Sequence, residues 1–231
     1  MVTVFQDAGA PAEQAGADRS RVDLDAAIEQ ITQALNLAER HPLSPEQRAV
    51  LDCLLARSGG AIDGPWAGAI AAIWANPQAS FLDLLTLAQL NPQQDLTGRQ
   101  LLGVRLEGCD LSGANLQRVN LRGSQLCDAD LSGADLAEAR LAGADLSGAL
   151  LSDVNLTKAD LHKASLALAN LSGANLSGAN LSGANLSRVN FHRAIVTGAV
   201  LGNNEGLTAE DYQQLVANGA IGDLHETESG G

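Results

Sequence analysis

The sequence predicts a solenoid of β-structure in its second half, a chain wound into a square coil, with an all-α module before it and a short closing helix after it. Three observations carry this. Stepping by five residues from Leu96 to Leu201, 22 consecutive positions hold 20 Leu, Phe191 and Val196. Two residues before each lies a column of 14 Ala and 4 Val, interrupted by Gln94, Arg99, Cys109 and Ser124. Two residues after each, 12 of the 22 positions are Gly, half of the 24 glycines in the chain.

A period of five suits neither simple element. A helix scatters it around the circumference, and a strand sends successive leucines to opposite faces. A coil that turns one corner per pentad satisfies it, and four corners close a square of about 20 residues per rung, rungs being ~4.8 Å apart. The Leu and small-residue columns then face inward, where two bulky residues per pentad would not fit. Gly and small polar residues permit the corners, and the Asp or Asn before each Leu can bond to local backbone. Residues 94 to 203 make a rod of about five and a half rungs, roughly 26 Å long.

These pentads, clearest in ANLSGANLSGANLSGANLS from Ala169 to Ser187, follow A-(D/N)-L-x-x and resemble the pentapeptide-repeat family. The resemblance covers close to half of the chain. It implies a right-handed quadrilateral parallel β-helix over 94 to 203. Such proteins abound in cyanobacteria, several acting in assembly, differentiation or regulation of larger complexes, which makes a cyanobacterial source an expectation.

An open coil needs closure at both ends. After the rod, Thr208 with Asp211 forms a capping-box-like start to a helix at about 209 to 217, with Gly219 as stop, and 204 to 231 read as a capping helix and an acidic tail. Before it, residues 21 to 92 read as a module of about four helices. Ile28, Ile31, Leu35 and Ala38 mark one amphipathic face. Ser44-Pro45-Glu46-Gln47 supplies an N-cap, an N1 proline and an N3 glutamine, with Gly59-Gly60 as terminator. Pro65 introduces a segment from Trp66 to Ala75, and Ser80 caps another through Leu87. Residues 1 to 20 read as disordered. Ile195 and Val200 are expected beneath the closing helix, and Leu102 near the helical module.

Chemistry is sparse. Three cysteines without paired spacing fit a reducing compartment, and no secretory signal or membrane span is evident, so a cytoplasmic protein without membrane insertion is expected. His162 and His192 lie on opposite walls of the square, and His41 and His225 lie outside it, so no metal set forms. Cys109 reads as core and Cys127 as an exposed thiol of unassigned role. Asp110 and Asp130 stack about one rung apart, which could raise a carboxyl pKa as in a hydrolase, although Asp is also the ordinary corner residue here. The expectation is no enzyme and no cofactor, with a cryptic hydrolase as the least favoured alternative.

Net charge is −13, which disfavours direct nucleic-acid binding. Members of the family that protect DNA gyrase mimic duplex DNA in shape and charge, so modulation of gyrase is the main alternative function. The rod argues against it: residues 94 to 203 hold nine cations against ten acids, and the wall of Leu121, Leu141 and Leu161 is basic through Arg122, Arg140 and Lys163. Two positions break the pattern in the apolar direction. Leu150 replaces the usual Asp or Asn, and Leu168 the usual Gly. The sequence therefore predicts a non-enzymatic scaffold or adaptor whose protein partner docks on Leu150 and Leu168, bordered by Arg122, Arg140 and Lys163. A homodimer through a rod end or the helical module is also compatible with this reading.

Overall fold

A computed structural model of the chain describes residues 24–34, 42–59 and 65–222. The chain divides into two compact units, Met1–Leu90 and Asn91–Gly231. Leu35, Ala38, residues 1 to 20 and the tail beyond Gly222 lie outside the described residues.

The first unit is helical: α1 (Leu24–Ala34), α2 (Pro45–Ser58), α3 (Pro65–Trp74) and α4 (Phe81–Leu87). The start of α2 is fixed by a reciprocal box. The Gln47 N–H donates to Ser44 Oγ at 3.2 Å, and the Ser44 N–H donates to Gln47 Oε1 at 3.0 Å. Its end is fixed by Gly59 at φ 64, a left-handed cap. Gln47 also donates Nε2 to the Ile73 carbonyl at 2.7 Å, which fastens α2 to the end of α3 from inside the core. Leu51, Leu54, Ile70, Ile73, Phe81 and Leu84 are fully buried around it, each contributing ~2 kcal/mol of apolar transfer.

The second unit opens with a one-turn helix, α5 (Pro92–Asp95). Gln94 therefore belongs to α5 and not to the inward column, which corrects the first pentad of the sequence register. From Gln100 onward every pentad contributes one parallel β-bridge to the residue 20 later, as in Gln100↔Asn120 and Asn120↔Arg140, through to Asn185↔Glu205. Four bridges complete one rung. Every central Leu from Leu96 to Leu186 is at most 2% exposed.

Where Asp or Asn stands before the Leu, the outward N–H two residues later finds an acceptor, and this explains the pentad's composition. In the stretch after Asp130, Leu131 and Gly133 donate forward to the next rung, to the Leu150 and Ser152 carbonyls. Ala134 closes the corner onto the Leu131 carbonyl, and Asp135 donates back to Ala114. The fifth donor, the N–H of Ser132, points outward and is met by Asp130 Oδ1 at 2.9 Å. Asp145, Asn155, Asn175 and Asn185 accept from the N–H two residues later in the same way, from Ser147, Thr157, Ser177 and Ser187. An Asp or Asn before the Leu is thus an acceptor for the one N–H that the ladder cannot reach.

Glycine at the corners has an equally definite cause. All 22 positions two residues after a central residue, Gly98 through Asn203, have φ between 49 and 73. This is the left-handed region, which glycine enters without strain. Ten of these positions hold other residues, among them Arg118, Lys158, Lys163 and Leu168.

At the far end, β1 (Val200–Leu201) pairs in parallel with β2 (Ile221–Gly222), and α6 (Ala209–Ala217) lies between them in sequence. Thr208 and Asp211 form the expected capping box. Leu215 and Ala220 are buried there, and Tyr212 presses its hydroxyl against Gly222. The closure is narrower than expected. Ile195 is 50% and Val200 39% exposed, so α6 does not cover them, and Leu102 is likewise exposed at 51%. A nine-residue helix offers one apolar stripe, and Leu215 is the one α6 residue that it buries.

Candidate protein-binding surface

Four walls can be numbered by their central residues: wall 1 by Leu116, Leu136 and Leu156; wall 2 by Leu121, Leu141 and Leu161; wall 3 by Leu126, Leu146 and Leu166; wall 4 by Leu131, Leu151 and Leu171. The bridge register fixes where each outward side chain stands.

Groups that could do chemistry do not converge. His162 is on wall 2 and His192 on wall 4, and no group of three His, Cys, Asp or Glu suited to a metal occurs among the described residues. Asp110 and Asp130 do pair across one rung. The Asp110 carboxyl, however, is held below its ordinary range, not raised, because Oδ1 accepts both the hydroxyl (2.7 Å) and the N–H (3.0 Å) of Ser112. A carboxylate held ionised in this way is a poor general acid. Cys109 is half-buried instead of fully enclosed. Cys127 on wall 3 is half-buried too. Its thiol is pushed up to about 11, first by donating to Asp145 and then by burial, which keeps it protonated and unreactive at neutral pH.

The two anomalous leucines do lie together. Leu150 stands on wall 4 between Asp130 and Asn170 in the bridge ladder. Leu168 is two residues before Asn170, at the corner of walls 3 and 4, one rung further along. They are 45% and 59% exposed. Both depart from the repeat at a cost. Leu150 has no acceptor for the Ser152 N–H that an Asp or Asn would meet, and Leu168 holds φ 65, where a bulky apolar side chain is strained.

Their expected border does not hold. Arg122 and Arg140 are on wall 2, and Lys163 is at the corner of walls 2 and 3, so the whole of wall 3 separates Leu150 from Arg140. One rung beyond Leu168, its own corner column carries Arg188, which is the cation nearest to it in register. The pentad count already places the three cations on the wall of Leu121, Leu141 and Leu161, and the bridge register sets Leu150 on the wall opposite.

Two family models match the chain: pentapeptide repeats, in eight copies, over residues 164–203, and a pentapeptide repeat region over 100–176. Among solved structures, the chain is 30% identical to the pentapeptide repeat protein Rfr23 of the cyanobacterium Cyanothece 51142, over 46% of this chain and 90% of that one, with a TM-score of 0.37. It is 31% identical to a pentapeptide repeat protein of the Arabidopsis thaliana thylakoid lumen, over 59% and 87% of the two chains, with a TM-score of 0.36. QnrB1, a plasmid-mediated fluoroquinolone resistance protein, is 22% identical over 58% and 87%, with a TM-score of 0.30. No curated protein matches the chain. With central residues in one register from Leu96 to Leu201, parallel bridges 20 residues apart along it, and both family models falling on it, the chain belongs to the pentapeptide-repeat family.

Proposed function

We propose that this protein is a non-enzymatic interaction protein, a right-handed four-sided β-helix that presents the corner of walls 3 and 4 to a protein partner. The observation that carries the reading is the coincidence at Leu150 and Leu168. Each replaces a residue that the repeat geometry favours, each exposes apolar surface, and the two are neighbours. Two local departures that destabilise the rod at one spot are what a binding site looks like when stability is traded for recognition. The reading extends to a cytoplasmic adaptor that neither inserts in membranes nor binds nucleic acid directly; among the described residues no helix is long and apolar enough to cross a membrane. A rod of nine cations and ten acids lacks the dense negative charge by which a protein imitates DNA, so modulation of gyrase is the weaker reading.

The test uses substitutions that restore the repeat. Leu150→Asn with Leu168→Gly gives the Ser152 N–H its acceptor and relieves the corner, so the variant melts higher than wild type. In affinity capture from the native cell followed by mass spectrometry, it should lose the partner that wild type retains. Undiminished recovery of that partner by the stabilised variant overturns the reading.

A further inference from the structure

We propose that the middle of wall 2 is a second recognition surface, which takes a short acidic segment of a partner protein. It stands apart from the surface at Leu150 and Leu168, which is on the far side of the rod and is not used in the argument.

Charge on the rod is segregated. Wall 2 with its two bounding corners carries six cations against two acids, a net of +4, while the rest of residues 94 to 203 carries three cations against eight acids, a net of −5. Arg118 is paired with Glu138 at 2.9 Å, and Arg99 donates Nε to the Thr97 carbonyl. The acid on the wall itself, Asp160, is committed to the repeat: its Oδ1 accepts the His162 N–H at 3.2 Å and Asn180 Nδ2 at 3.4 Å. Arg122, Arg140, Lys158 and Lys163 are left exposed, and none has an ion-pair partner among the described residues.

The repeat does not favour cations at these places. Arg122 is the one Lys or Arg in the column directly after the central residues, where Ser is commonest. Arg140 takes the place of the Asp or Asn before Leu141, and a guanidinium has no acceptor for the Ala142 N–H. Lys158 and Lys163 hold φ 57 at corners that suit glycine. The floor between the four is Gly123, Ala142 and Gly143, whose small side chains let a ligand backbone lie close. In a protein of net charge −13, such a wall selects an anionic partner.

Its size and composition select among anions. The four cations occupy three successive rungs, about 10 Å of rod, which about four residues of extended chain span. A long polyanion would overrun this patch onto Asp135 of wall 1 and Asp128 and Asp145 of wall 3. Wall 2 also offers no Phe, Tyr or Trp on which bases could stack. A run of carboxylates on a peptide meets neither obstacle. Each exposed ion pair is weak, so the affinity comes from several formed together and falls with salt, since charges are screened beyond ~8 Å at physiological ionic strength.

Lys158 and Lys163 are the only lysines in the chain, so acylation of side-chain amines reads this wall and nothing else. The full chain would be treated with a neutral N-hydroxysuccinimidyl acetate while N-acetylated octaglutamate is titrated in, and both lysines followed by peptide mass spectrometry. At 20 mM salt, saturating peptide should slow both lysines at least threefold, and 0.5 M salt should abolish the protection. Arg122→Ser with Arg140→Asn restores the repeat and gives the Ala142 N–H its acceptor, so this variant melts no lower than wild type, yet it should need at least tenfold more peptide. Arg105→Gln with Arg193→Gly removes as much charge from the rest of the rod and should change that requirement less than twofold. No protection at low salt overturns the proposal. Equal weakening in the two variants also overturns it, since net charge and not the wall would then be the cause. An octathymidylate that protects at lower concentration than the peptide overturns it too, and marks wall 2 as a phosphate-binding surface. None of these results touches the capture experiment on Leu150 and Leu168.

Discussion

At Leu168 the backbone sits at φ 65 with a side chain that offers no hydrogen bond to offset the strain. A non-glycine residue there costs about 1–2 kcal/mol, of which the greater freedom of unfolded glycine gives back about 0.5–1 kcal/mol. Leu168→Gly should therefore stabilise the protein by up to about 1 kcal/mol, and Leu150→Asn by a similar amount through one recovered hydrogen bond. Either change should raise the melting temperature by about 2–4 °C in a chain of this size, as calorimetry would read it. Cys127 gives a second residue-scale prediction. Its thiol, ordinarily at 9.0, stands at about 11 because it donates to Asp145, itself held low by the Ser147 hydroxyl at 2.6 Å. The folded state thus binds this proton more tightly than the unfolded state. The stability gained is complete below pH 9 and fades as pH rises through about 11. Asp145→Asn should lower the Cys127 pKa and speed its alkylation at pH 8 severalfold, read at the Cys127 peptide. An unchanged rate would show that Asp145 does not hold the thiol.

At the scale of the element, the rod depends on its leucine column being dry. Leu146 is 1% exposed, midway along that column. A carboxyl there must be desolvated without a partner, at a cost of several kcal/mol, comparable with the whole stability of a domain. Leu146→Asp should abolish the β-signal in far-ultraviolet circular dichroism, and an unchanged spectrum and melting curve would refute the inward register. Much at this scale was legible in advance because its causes are local. Ser44, Pro45 and Gln47 start α2 whatever surrounds them, and Thr208 with Asp211 does the same for α6. The one-turn α5 escaped because four residues carry no periodicity, and Gln94 was drawn into the pentad column by spacing alone. The exposure of Ile195 and Val200 escaped for a different reason. Which apolar residues a closing helix covers depends on where the helix lands, and its own nine residues do not encode that.

Over the whole molecule, a net charge of −13 conceals one wall of opposite sign, and that wall emerges only when residues 20 apart are stacked. Arg122, Arg140 and Lys163 were recognisable as basic from the pentad count. Their grouping with Arg118 and Lys158, and their separation from Leu150, required the corners to be placed. The candidate site shows the same division. That Leu150 and Leu168 break the pattern can be read from the chain, because a strict repeat makes every exception visible. What each exception costs could not be read so directly: the lost acceptor at Ser152 and the left-handed corner at Leu168 exist only once the rungs are hydrogen-bonded. The sequence by itself determined the inward column, the caps of α2 and α6 and the identity of the exceptional residues, since these depend on neighbours within five positions. Only the tertiary structure decided what each exception costs, that Arg122, Arg140 and Lys163 stand apart from Leu150, and which apolar residues remain uncovered, since those are relations between residues a full rung or more apart.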